Sequence, residues 1–197
     1  LGIAGIELLR FQVCRARLDR LLLCLQHIAL ELQGIGVVRL QAQRGADGLQ
    51  RMMPGAPGRF ERIASDPQDP ASLARQEIRS LFQARDGKLW LGTRKQGAAW
   101  LDLASLSLHR LAVDTARADS LSHGWIGKIA QPNPDQIWLG AYGGGMNVVA
   151  ASNGRVLQHL RHDPALASSL ALETIGAMLV DRSGLLWVGT WGGGLQR

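Results

Sequence analysis

One motif is written three times in this 197-residue chain. Ser72-Leu73 … Ile78 … Leu89-Trp90-Leu91-Gly92-Thr93 … Gly97 returns as Ser120-Leu121 … Ile126 … Ile137-Trp138-Leu139-Gly140-Ala141 … Gly145. It returns once more as Ser169-Leu170 … Ile175 … Leu186-Trp187-Val188-Gly189-Thr190 … Gly194. The tryptophans lie 48 and then 49 residues apart, and the serines keep the same step. A fixed period of this length marks a repeat architecture, whose units bury their apolar faces against one another.

The copies supply their own internal comparison. Each opens with an apolar pair (Phe60 and Ile63, Leu108 and Leu111, Leu157 and Leu160), passes Asp66, Asp114 or Asp163, and reaches the Ser-Leu pair. A short apolar segment follows, then a turn such as Ala84-Arg85-Asp86-Gly87 or Asp181-Arg182-Ser183-Gly184, then the tryptophan segment. The runs are short, rich in β-branched and aromatic residues, and punctuated by Gly, Pro, Asn and Asp, which is strand and hairpin chemistry. Four short strands per period match a propeller blade, whose repeat is roughly 40–50 residues. No helical spacing of useful length occurs after residue 60. The expectation is an all-β chain holding a partial β-propeller of about two and a half four-stranded blades over residues 60–197, with tryptophan segments at 88–94, 136–142 and 185–191.

Trp90, Trp138 and Trp187 are expected to pack between neighbouring sheets, because one large aromatic recurs on a central strand of every unit. Gly92, Gly140 and Gly189, two residues further on, would let another backbone segment or an aromatic ring approach closely. The recurring Asp66, Asp114 and Asp163 are expected to cap turns rather than to act as acids.

The pattern Asp-Pro … Ser-Leu … Ile … Asp-x-x-Gly-x-Leu-Trp-Val-Gly-Thr-x-Gly-Gly-Gly-Leu resembles the two-component regulator propeller repeat. The copy from Asp163 to Leu195 matches it best; the first lacks the glycine run at Arg94-Lys95-Gln96, and the second departs at Pro132 to Asp135 and at Ala141. The resemblance implies the periplasmic sensor region of a bacterial inner-membrane receptor, with a saccharide or other small molecule as ligand and a histidine kinase, hybrid kinase-regulator or diguanylate cyclase as output domain. It implies no catalysis and no cofactor in this segment. Its partners would be further blades and the output domain of the parent chain, with a homodimer as another expectation. Two and a half blades do not close a ring, since closed propellers have about 4–8, and the chain starts with leucine. A piece of a longer receptor is therefore expected, in preference to a small protein that oligomerises to close the ring.

Charge excludes another class. The net charge is +6 and the pI near 10.3. Residues 1–62 hold nine Arg against five acids, whereas residues 63–197 hold thirteen Lys and Arg against eleven acids, so the repeats are close to neutral. Nothing in them reads as a nucleic-acid surface. Cys14 and Cys24 both precede the repeats, and their spacing fits no common metal site.

Residues 1–50 differ from the rest. Leu18, Leu21, Leu22, Leu25, Ile28 and Leu32 recur at helical spacing until Gly34, which suggests an amphipathic helical lead; a poorly ordered or mis-framed extension is the other reading. The apolar run is too short for a membrane span, which takes about 20 residues. Residues 51–59, with Pro54-Gly55 and Pro57-Gly58, read as a linker.

No phosphate loop, nucleophile elbow or zinc-protease motif is present. Gly143-Gly144-Gly145 and Gly192-Gly193-Gly194 read as hairpin turns, and His159 with His162 as a solvated pair rather than metal ligands. Candidate ligand-binding residues are those that break the repeat rhythm: Arg94, Tyr142 and Trp191 after the Gly-Thr step, and His123 and Trp125 in a Ser-Leu loop. Aromatic faces suit sugar rings, and guanidinium groups suit acidic ones. A protein-binding scaffold is the alternative, and a propeller hydrolase or lyase relying on Asp119 or Glu173 a more distant one.

Overall fold

The computed structural model describes residues 29–32, 36–40, 49–53, 56, 58–63, 66, 68, 72–73 and 76–197. Among these residues fifteen strands form four antiparallel sheets, in each of which the strands lie side by side in chain order. The first sheet is β1 (Ala29–Leu32), β2 (Gly36–Leu40), β3 (Leu49–Met52) and β4 (Phe60–Ile63). The second is β5 (Ile78–Gln83), β6 (Leu89–Thr93), β7 (Ala98–Leu101) and β8 (Leu108–Leu111). The third is β9 (Ile126–Asn133), β10 (Gln136–Ala141), β11 (Met146–Ala150) and β12 (Val156–Leu160). The fourth has three strands, β13 (Ile175–Val180), β14 (Leu186–Thr190) and β15 (Gly194–Gln196). Among the described residues there is no helix. The innermost strands β5, β9 and β13 pack against one another in succession, as in a propeller.

The all-β propeller expectation holds, with three differences. Among the described residues the sheets number three of four strands and one of three; those formed after Ile63 are two of four strands and one of three, against the expectation of about two and a half blades. The extra sheet is built from residues 29–63: Ala29–Leu32 is a strand where the leucine spacing suggested a helix, and the linker read at 51–59 begins inside β3. Leu18, Leu21, Leu22, Leu25, Ile28, Gly34 and both cysteines lie outside the described residues. The phase also shifts. The apolar pair that opens each sequence copy forms the outer strand of the preceding sheet, β4, β8 or β12, so a sheet begins at the Ile of the motif and not before it.

Two of the three repeat tryptophans, Trp90 and Trp138, mark seams between sheets. Trp90 pairs across the ladder with Phe82 and Trp100 and is fully buried in one core with Leu121 of the connecting strap and Ile126, Ile137 and Leu139 of the third sheet. Trp138 packs against Leu170 of the next strap and Ile175 and Val188 of the fourth sheet, and is half-buried. Trp187 is also half-buried, on a face where Leu179, Leu185 and Leu195 are exposed. A Cβ built on Gly92 would stand 2.4 Å from the Ile126 carbonyl oxygen, and one on Gly140 would stand 2.8 Å from Ile175 Cγ2. The glycine therefore admits the next sheet's inner strand.

The ring nitrogens follow the local sequence. Trp187 Nε1 donates to Asp181 Oδ2 at 2.7 Å, and Trp138 Nε1 to Gln136 Oε1 at 3.3 Å. In the first copy Ala84 stands in the place of Asp181, and the buried Trp90 Nε1 has no acceptor. Ser183 and Trp187, donating to Asp181, hold its carboxyl at about 2, below the ordinary 3.8.

Between sheets the chain runs as straps fastened by the recurring Asp and Ser. The Asp side chain accepts the amide two residues on, in Asp66–Gln68 at 2.8 Å, Asp114–Ala116 at 3.0 Å and Asp163–Ala165 at 2.9 Å. The Ser hydroxyl then donates back to the same Asp's carbonyl, Ser120 at 2.7 Å and Ser169 at 2.9 Å, with Ser72 doing the same. A seven-residue loop is closed by its own ends, as Asx chemistry allows.

Candidate functional site

The straps and the hairpins after β6, β10 and β14 meet on one face. Gly97 N donates to Gly124 O and Gly145 N to Glu173 O, each at 2.8 Å, so a hairpin of one sheet holds the strap leading into the next. Gly97 and Gly145, at φ of 79° and 68°, make these bonds in a conformation that suits glycine.

One backbone bond recurs there in every copy. Arg94 N donates to Glu77 O, Tyr142 N to Trp125 O and Trp191 N to Thr174 O, each at 3.0 Å. The bond places two side chains next to each other, and their identities change from sheet to sheet. In the second sheet they form an ion pair, Arg94 Nη1 to Glu77 Oε2 at 3.2 Å. In the third they form an aromatic stack, with Trp125 and Tyr142 centroids 4.2 Å apart and planes 23° apart. In the fourth Trp191 lies against the Gly176 backbone, where a Cβ would stand 2.4 Å from its Cδ1.

These pairs join into one strip across three sheets. Arg94 Cζ lies 5.3 Å from the Trp125 ring centroid, and Tyr142 meets Trp191 edge-on at 5.8 Å and 75°. Trp191 is 65% exposed and Tyr142 39%, whereas Trp125 is covered by Tyr142 on one side and approached by guanidinium groups. Four of the five predicted residues are thus brought together. His123 sits beside them in another capacity: its Nδ1 accepts the Trp125 amide at 3.1 Å and so fixes the loop that presents Trp125.

Two members of the strip escaped the sequence reading, Glu77 and Arg79. Arg79 Nη2 donates to Glu77 Oε2 at 3.1 Å, and Arg79 Cζ lies 5.7 Å from the Trp125 ring. Burial raises the Glu77 carboxyl, but Arg94 and Arg79 outweigh it and hold the group below its ordinary value. The signal for Arg79 was present, since its counterparts are Gly127 and Gly176 and it breaks the rhythm as Arg94 does.

Other candidate chemistry is dispersed. The Arg117 guanidinium donates to Asp119 at 3.0 and 2.9 Å and holds its carboxyl below the usual range, the wrong direction for a general acid. Glu173 contributes its backbone oxygen to the Gly145 amide. His159 bonds Asn147 Oδ1 and Ala118 O, while His162 bonds Leu170 O, so the two rings serve different contacts. Among the described residues no three His, Cys, Asp or Glu side chains group so as to hold a metal, and no helix is long and apolar enough to cross a membrane.

Residues 72–95 and 169–192 match the two component regulator propeller family. No protein of curated function matches the sequence significantly. Among solved structures, the chain is similar to extracellular domains assigned to two hybrid two-component systems from B. thetaiotaomicron. With BT3049 it shares 19% identity at a TM-score of 0.57, covering 86% of this chain and 20% of that one. With BT4673 the identity is 20% and the TM-score 0.61, covering 83% and 22%. PorZ, a surface component of the type-IX secretion system of Porphyromonas gingivalis, gives 14% identity and a TM-score of 0.59 over 85% and 25%. The chain spans about a fifth to a quarter of these proteins, and at such identities the likeness shows the fold.

Proposed function

We infer that this chain is part of the ligand-sensing region of a bacterial signal-transduction receptor, placed in the periplasm and non-catalytic itself, a reading supported by the match of residues 72–95 and 169–192 to the two component regulator propeller family. The observation that carries this reading is the strip. The repeat scaffold is nearly constant, yet the paired positions on one face vary and expose Tyr142 and Trp191 side by side. Exposed aromatic planes held by backbone bonds offer a platform for the apolar face of a saccharide ring. The straps below the strip join adjacent sheets, so a ligand there favours one arrangement of neighbouring blades. That bias is what a membrane-linked kinase or cyclase elsewhere in the parent would read.

The test is calorimetric titration of the chain with a panel of neutral disaccharides. Trp191→Ala should weaken binding about 10-fold, or ~1.4 kcal/mol, with no loss of thermal stability because the ring is 65% exposed. Unchanged binding in both Trp191→Ala and Tyr142→Ala removes the strip as the site.

A second surface favours a protein partner. The Trp187 face of the fourth sheet exposes Leu179, Leu185 and Leu195 at 65, 49 and 68%. The corresponding faces of the second and third sheets are covered by the next sheet. A further blade of the same repeat is the occupant that internal comparison suggests.

A further inference from the structure

The inner strands β5, β9 and β13 each carry a bulge at the same place, which leaves Arg79, Gly127 and Gly176 out of the ladder. Bulges re-aim the side chain they carry. Two of the three carry none: the Gly127 position opens on free space, and Gly176 is roofed by Trp191. Arg79 is the exception, and its guanidinium leaves the second sheet to lie over Trp125 of the third. Arg94 reaches the same ring from the neighbouring hairpin. Both guanidiniums converge on one atom, Glu77 Oε2, at 3.1 and 3.2 Å. Two cations thus share one carboxylate at the end of an aromatic platform, and that carboxylate is itself exposed, with 42% of its side chain accessible.

We propose that Arg79 and Arg94 form an anion seat at the charged end of the strip, with Glu77 as its resident occupant, displaced by the carboxylate or sulfate of a ring-shaped ligand stacked on Tyr142. The proposal rests on the strip being the ligand surface. Guanidinium forks bind carboxylate and sulfate oxygens directionally, and a short tether lets Glu77 compete from within the molecule. The apparent affinity of an external anion is then reduced by the fraction of time the seat is taken. Exposed pairs of this kind are weak, so the reduction is modest and removing the competitor should sharpen binding about 5-fold.

The experiment titrates galacturonate, galactose and benzoate into the whole chain by calorimetry, comparing the native sequence with Glu77→Gln, Arg94→Gln and Arg79→Gln. Galacturonate should bind more tightly than galactose. Glu77→Gln should widen that preference about 5-fold, and either arginine variant should erase it while leaving galactose unaffected. An equal gain for benzoate in Glu77→Gln would support the seat and assign it to ring carboxylates at large; a gain confined to galacturonate would support it as a saccharide acid site. The seat is overturned if Glu77→Gln binds galacturonate no better than the native chain, or if the preference survives Arg94→Gln. Should galactose then still bind in a Trp191-dependent manner, the strip stands and the seat alone falls. If no probe binds any variant, both fall.

Discussion

Gly92, Gly140 and Gly189 hold the same place in three copies, yet alanine at each should have three different results. A Cβ on Gly92 would stand 2.3 Å from Ser80 Oγ, 2.4 Å from the Ile126 carbonyl oxygen and 3.0 Å from Ile126 Cγ2. The carbonyl belongs to the backbone of β9, which yields only by opening the seam between the second and third sheets. Overpacking costs about 1–3 kcal/mol where side chains can adjust, so Gly92→Ala should reach or exceed ~3 kcal/mol. At Gly140 the obstructing atoms are Ile175 Cγ2 and Met178 Sδ, both at 2.8 Å. A thioether can swing aside, and a loss of about 1–2 kcal/mol is expected. At Gly189 the nearest atom is Ala177 Cβ at 3.4 Å, an ordinary contact. There alanine should stabilise by about 0.4–1 kcal/mol, by restricting the unfolded chain. Urea unfolding midpoints at constant slope measure all three. Equal losses at the three sites would mean that glycine serves the strand's own conformation, and the reasoning from close approach between sheets would be refuted.

Two further outcomes follow from the same seams. Trp90→Ala, at a fully buried site, should cost about 3–5 kcal/mol. Trp187→Ala, at a half-buried one, should cost less than half of that in the same denaturation experiment. Asp181 sets an acid limit: with its carboxyl held at about 2 against an ordinary 3.8, its contribution is complete above pH 3.8 and is lost as pH falls through 2. Thermal melts of Asp181→Asn should therefore lack the part of the acid destabilisation that the native chain shows in that window; identical acid profiles would exclude the Ser183 and Trp187 bonds as its cause.

Much of this arrangement was legible because short strands with fixed punctuation leave a periodic trace. The Trp-x-Gly step, the Asp-to-Ser loop and the hairpin glycines each recur, and each does one geometric job. The strip was legible by subtraction: once the recurring residues were assigned to the scaffold, Arg94, Trp125, Tyr142 and Trp191 remained. Arg79 could have been found the same way, but a charged residue among inner-strand apolars reads as ordinary surface until a bulge is seen to turn it. The first sheet was not legible. β1 and β2 are four and five residues long, carry no tryptophan signature, and continue a run of leucines read at helical spacing. The phase of the sheets was hidden as well, because sequence similarity marks where a pattern repeats and not where hydrogen bonding starts.

The backbone bond shared by Glu77–Arg94, Trp125–Tyr142 and Thr174–Trp191 makes each blade carry an interchangeable two-residue cassette. Buried seams hold the framework constant while the cassettes spell out a surface one letter per blade. Exchanges at these positions therefore leave the buried seams untouched: transplanting the Trp-Tyr letter into the Glu77 and Arg94 positions would lengthen the aromatic platform, and the opposite exchange would spread the charge.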